Sequence, residues 1–203
     1  MKDRSTLYLA CAALGTLALA AAPAPQAHDD AQTATAQQQQ LNSQRNRNDL
    51  VKIVQQVTDK YHSVAAAEYD GYHLAFGCVS DEDSGAMGLH YVNLGLYVID
   101  PEHGIFDDQI DPYKPEIILY EPTAHGPRLT GADYIVDAET WNKTHSQAPE
   151  LDGQIFHFFD APNRFGLRPF YTLHVWAWKD SPTGTFVNWN RDVRCDAHNG
   201  PNK

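Results

Sequence analysis

The run "FYTLHVWAWK", residues 170–179, narrows the fold more than any other stretch of the chain. Aromatic and β-branched residues dominate it, as they do in strands. Successive side chains of a strand point to opposite faces. Parity therefore sets Thr172, His174, Trp176 and Trp178 on one face, and Leu173 and Val175 on the other. Both faces are apolar, so both need cover. A strand with that need is central in a layered sheet.

The segments 86–93 (AMGLHYVN), 115–122 (PEIILYEP), 128–136 (RLTGADYIV), 153–159 (GQIFHFF) and 185–190 (TFVNWN) read as further strands. Prolines bracket 115–122, which marks an edge or a short strand. "ETWNKTH" reads as a helical turn. The loop chemistry between these segments favours antiparallel connections. A long helical periodicity precedes them: Leu50, Ile53, Val54, Val57, Tyr61, Val64 and Ala65 recur on one helix face. Asn48 or Asp49 caps its start and Gly71 marks its end. The predicted fold class is α+β. A long N-terminal amphipathic helix packs on a mostly antiparallel sheet, open or barrel-like.

Residues 1–27 place Lys2 and Arg4 before an alanine-rich apolar run and then small residues, the layout of a secretory signal peptide. Residues 28–47 are polar and glutamine-rich, which predicts a disordered tether. Residues 48–203 then form a single α+β domain, a length that supports one sizeable core. The expected location is periplasmic or secreted. No later segment is long and apolar enough to be a transmembrane segment. A net charge of −11 with no basic patch excludes nucleic acid as partner. Once the leader is removed, Cys78 and Cys195 remain. In an oxidising compartment such a pair forms a disulfide, two unrelated thiols being the alternative. The acidic segment 100–112 lacks the ligand alternation of an EF-hand loop and reads as solvated.

The same parity rule applied to the other strands gives a pattern. His90 shares a face with Val92, His157 with Ile155 and Phe159, and Glu121 with Ile117 and Leu119. Each polar group keeps apolar company, as His174 does. Burying an unpaired imidazole or carboxylate is costly. Three histidines and one glutamate converging on a divalent transition metal (zinc, copper, iron or manganese) would satisfy one another. Asp133 and Tyr134 are then outer partners or acid–base groups. The leading reading is an exported metal-binding protein, with or without catalysis on a small-molecule substrate. The alternative is a non-catalytic binding protein. In it Tyr91, Phe156, Phe158, Trp176 and Trp178 line a pocket for a small apolar or phenolic ligand. A third reading is a histidine-rich core that holds no ligand. No nucleophile elbow, phosphate loop or compact metal motif is present.

Taken together, "GAMGLHYVN", "LYEP", "GADYIV", "GQIFH", "LHVWAWK" and "FVNWNRDVRC" resemble a family of exported bacterial proteins over the stretch from Tyr61 to Cys195. The resemblance implies export and carries no particular activity. The family's motif histidines and glutamate fall on His90, Glu121, His157 and His174. The family pattern has glutamate where this chain has Asp133, and proline where it has Arg191. The shorter carboxylate at 133 argues against a direct role at that position.

Overall fold

The structure, a computed structural model, describes residues 27–100 and 105–200. The predicted signal peptide lies outside these residues except for Ala27. The chain divides into two units, one ending at Gln37 and the other starting at Gln38. The second contains the sheet.

Helix α1 (Ala27–Thr58) runs through 28–47, where the sequence predicts a tether. The helix there has a local cause. Alanine and glutamine are good helix formers, and a helix already nucleated at 48–58 extends cheaply. The side chains of residues 35–46 remain exposed, so packing does not hold this stretch. Burial starts at Leu50 and continues at Val54, Thr58 and Tyr61, one face of a helix. The helix predicted to continue to Gly71 instead breaks. Thr58 donates its hydroxyl to Val54 O at 2.6 Å. Residues 59–62 tighten into a 3-10 turn, and Tyr61 O accepts the Tyr120 hydroxyl at 2.7 Å, which takes that carbonyl out of the helical ladder. Helix α2 (Val64–Tyr69) follows and ends before Gly71, whose φ of +91° suits glycine.

The remaining elements in chain order are β1 (His73–Asp81), β2 (Gly85–Val92), α3 (Leu94–Tyr97), β3 (Val98–Asp100), β4 (Ile105–Phe106), β5 (Ile117–Glu121) and β6 (Arg128–Asp137). After these come α4 (Ala138–Thr144), β7 (Glu150–Leu151), β8 (Gln154–Ile155), β9 (His157–Phe159) and β10 (Phe170–Val175). The main sheet has the order β1-β2-β5-β6-β10-β9, every neighbouring pair is antiparallel, and the sheet curls as a half-barrel. The α+β class is thus as predicted, and β10 is central.

Several strand assignments differ from the sequence reading. β5 is buried along its whole length between β2 and β6, so its flanking prolines punctuate a central strand and not an edge. Segment 153–159 splits at Phe156: β8 pairs with β7, and β9 joins the main sheet as an edge. Segment 185–190 forms no strand, and only Asn190 bridges Ala86. β1 escaped prediction because Phe76 and Gly77 both take positive φ and break the alternation, with a register shift between Ala75 and Cys78.

The sheet separates two apolar layers. Leu50 and Val54 of α1 belong to the layer that includes Tyr91, Ile118, Tyr120, Leu173 and Val175. The opposite layer includes Val92, Ile117, Leu119, Ile135 and Phe170. Cys78 and Cys195 form the expected disulfide, with Cα atoms 5.8 Å apart across 117 residues of sequence. No described helix is long and apolar enough to cross a membrane. The disulfide and this observation are compatible with an exported protein.

Candidate metal centre

Three strands of the sheet each contribute one polar side chain to the layer away from α1. His90 comes from β2, Asp133 from β6 and His174 from β10. Asp133 and His174 are direct partners in the β6–β10 ladder. β5 lies between β2 and β6, so His90 reaches across it. The three residues are 2–3 % exposed, and each offers a ligand atom within 4.8 Å of the others. His174 Nδ1 stands 3.4 Å from Asp133 Oδ1, and the two imidazole rings are 5.7 Å apart between centroids.

Local structure prepares each group differently. His90 Nδ1 lies 3.1 Å from Gly88 O. A carbonyl only accepts, so Nδ1 carries the proton and Nε2 keeps its lone pair. This is how outer hydrogen bonds fix the tautomer of a metal-binding histidine. Gly88 itself has φ +90°, and a Cβ there would come 2.4 Å from Tyr120 O, so this close approach requires glycine. Asp133 Oδ1 accepts the Thr172 hydroxyl at 2.5 Å. His174 has no such support: among the described residues, both of its ring nitrogens are buried without a hydrogen-bond partner. The buried Oδ1 of Asn188 also lacks one.

The electrostatics follow from burial. Desolvation pushes His90 down to about 4. It holds His174 well below the usual histidine value, reinforced by the nearby His90 and His157 and opposed by Asn188. Burial pushes Asp133 up to about 7, against the opposing hydrogen bonds from Thr172 and the Leu173 amide. At neutral pH both imidazoles are therefore uncharged and have lone pairs to offer, and the carboxyl group ionises close to that pH. A cavity of about 20 Å³ touches all three residues and is walled by Phe76, Met87, Phe159, Phe165, Leu167 and Phe170. That is room for about one water or one bare ion. His90, Asp133 and His174 could hold a metal ion. Ligands about 2.0–2.2 Å from one ion lie roughly 3–3.5 Å apart, so the side chains would close by about 1 Å around it.

The predicted ligand set is partly redistributed. His90 and His174 meet as expected. Glu121 does not join them. Its carboxylate pairs with Lys179 at 2.8 Å and with Arg128, and accepts the Arg194 amide at 3.2 Å. Glu121 closes β5 directly opposite Arg128 in the β5–β6 ladder, where cationic partners take its carboxylate; the extra residue at the register shift, Thr130, lies on β6 and leaves the alternation of β5 intact. His157 sits exposed on the edge strand β9, opposite Thr172, with Nε2 3.3 Å from Phe186 O. Asp133, predicted as an outer partner, supplies the carboxylate in its place. Tyr134 points to the other layer and donates its hydroxyl to Pro112 O at 2.7 Å.

The aromatic pocket is also elsewhere than predicted. Tyr91 packs on Tyr120 at 5.0 Å in the layer with α1, where Phe156 also lies. Trp176 donates to Val187 O at 2.6 Å and Trp178 to Thr58 Oγ1 at 2.9 Å. Phe158 is half exposed against Tyr171. None of them lines the cavity. Its phenylalanines at 76, 159, 165 and 170 come partly from a bulged strand and a loop, which strand parity does not reach. Its volume is also far below the roughly 150 Å³ that admits benzene, which leaves no room for a phenolic ligand there. Comparisons with family models, curated proteins and solved structures found no match to this chain.

Proposed function

We propose that this is an exported protein that binds one divalent transition metal ion through His90 Nε2, the Asp133 carboxylate and His174. The observation that carries the reading is His174: a fully buried imidazole with neither nitrogen in a hydrogen bond of good geometry, beside Asn188, facing a buried carboxylate at 3.4 Å and a second imidazole whose Nε2 keeps its lone pair. Such a cluster is costly to keep unless something satisfies it. A cation satisfies all three groups together. Two imidazoles and one carboxylate suit zinc, iron, manganese or copper better than calcium or magnesium. Three protein ligands leave a coordination position open, which favours an enzyme polarising a small molecule or activating water over a closed structural site. The leader-like N-terminus and the Cys78–Cys195 bond support export.

The test is metal analysis of untagged protein, followed by cobalt(II) titration of the chelated form. Stoichiometric cobalt with a d–d spectrum of low coordination number is expected, with loss in His90→Ala and Asp133→Ala. Protein that takes up no metal, and whose thermal unfolding is unmoved by chelator, overturns the proposal.

A further inference from the structure

A second cavity, a cleft open to solvent, lies next to this centre. It measures about 330 Å³ and is bordered by Ser84, His157, Thr183, Asn188, Trp189 and Arg191. That volume is within the range of small-molecule sites. Two of its walls also adjoin the metal centre. His157 stands opposite Thr172 in the β9–β10 ladder, and Thr172 holds Asp133. Asn188 and His157 are both close enough to His174 to influence its charge. The orphaned Asn188 Oδ1 and the orphaned His174 nitrogens therefore belong to one junction between the two cavities.

The chemistry of the larger cavity is unlike the rest of the molecule. The chain carries a net charge of −11, yet no carboxylate is among the residues that line this cavity. Arg191 makes no ion pair among the described residues. It also borders a groove containing Asp81, Glu82, Asp83 and Asp196, and pairs with none of them. Of the other polar side chains of the cavity, the Ser84 hydroxyl, the Asn188 amide and the Trp189 indole are donors, whereas Thr183 gives its hydroxyl to Trp189 O and His157 gives its Nε2 proton to Phe186 O. Trp189 adds a flat apolar surface, backed by the Arg164 guanidinium 5.6 Å from its ring. An unpaired guanidinium among donors recognises a planar anion.

The geometry points to this cavity as the ligand pocket of the metal centre, taking a small carboxylate-bearing molecule whose anion rests on Arg191 and whose far end reaches the His157–Asn188 junction. The inference rests on the metal site proposed above and assigns its substrate class.

The test uses the full chain in metal-free and cobalt(II)-loaded forms, with benzoate as probe and benzamide as its neutral counterpart. Benzoate should bind at least ten-fold more tightly than benzamide. It should shift the cobalt d–d bands, and lose at least ten-fold in affinity in Arg191→Met. Arg191→Lys, which keeps charge but not the planar fork, should lose less, and covers the case of a Met variant that does not fold. Inorganic phosphate competing as strongly as benzoate would overturn the carboxylate assignment. Cobalt bound normally with benzoate and benzamide indistinguishable, or benzoate binding unchanged in both Arg191 variants, overturns the pocket and leaves the metal site standing. Protein that takes no cobalt overturns the metal site. The benzoate–benzamide comparison on metal-free protein then decides the anion pocket by itself.

Discussion

Replacing His174 by leucine separates a residue kept for packing from one kept for a ligand. In the metal-free protein the ring has two buried nitrogens with no partner. Each buried, unsatisfied polar group costs about 1–3 kcal/mol. Leucine removes both, is apolar and fits a site walled by Met87, Ile117, Phe170 and similar groups. Part of the gain is lost to imperfect shape, since core substitutions of similar size cost up to about 1.5 kcal/mol. A net stabilisation of about 1–2 kcal/mol is expected, or roughly 2–8 °C in Tm for a domain of this size. The assay is urea unfolding with chelator at pH 8. His174 has a folded pKa held below its unfolded value, so its protonation penalty appears only as pH falls below about 6.5. At pH 8 His174 is uncharged in both the folded and the unfolded state, so its own protonation does not enter the measurement. With cobalt present the order should reverse, because only the native sequence gains binding energy. If His174→Leu destabilises the metal-free protein by more than about 1 kcal/mol, the nitrogens are satisfied and the imidazole is a core residue.

Further outcomes follow from the same geometry. Glu121→Gln should leave cobalt affinity within two-fold while costing on the order of 1–3 kcal/mol of stability, because it weakens the charged hydrogen bonds from Lys179 and Arg128. A ten-fold loss of cobalt would return Glu121 to the ligand set. Glu116 is buried, accepts the Ile135 amide at 3.1 Å, and is pushed up to about 8 by burial from an ordinary 4.5. A folded pKa above the unfolded one means stability present below about pH 4.5 and lost as pH rises through about 8. Glu116→Gln keeps an acceptor without the titration. Its denaturation curves should match the native protein at pH 4 and exceed it by on the order of 3–5 kcal/mol at pH 9. Parallel pH profiles would show that Glu116 does not titrate there. Replacing Cys78 and Cys195 together by serine opens a link spanning 117 residues, for which the chain-entropy relation gives about 4–5 kcal/mol. A change under about 1 kcal/mol in urea unfolding would contradict a formed bond.

Periodicity was enough to read a helix from residue 48, though not its break before Gly71, and the strands within 86–93, 115–122, 128–136 and 170–179; cysteine chemistry was enough for the pairing of Cys78 with Cys195. Each rests on a signal within one element, or on the chemistry of a lone cysteine pair. The same holds for half the site: His90 and His174 sit on regular strand segments, where parity predicts the face correctly. Parity failed at irregular points. The bulge at Phe76 and Gly77 hid β1, Glu121 at the end of β5 met Arg128 and Lys179 instead of the histidines, and the end of β10 at Val175 moved Trp176 and Trp178 out of alternation.

Asp133 shows why the remainder needed tertiary structure. In sequence it is one carboxylate among many. Its role arises only because β10 pairs with β6 so that His174 lies directly opposite it, while Thr172 orients its oxygen. Strand order and register are properties of the assembled sheet, set by long-range pairing that a local pattern does not encode. The amino-acid sequence determined which side chains could bind an ion and that His90 and His174 would be buried. Only the packing of β2, β6 and β10 decided which three of them meet.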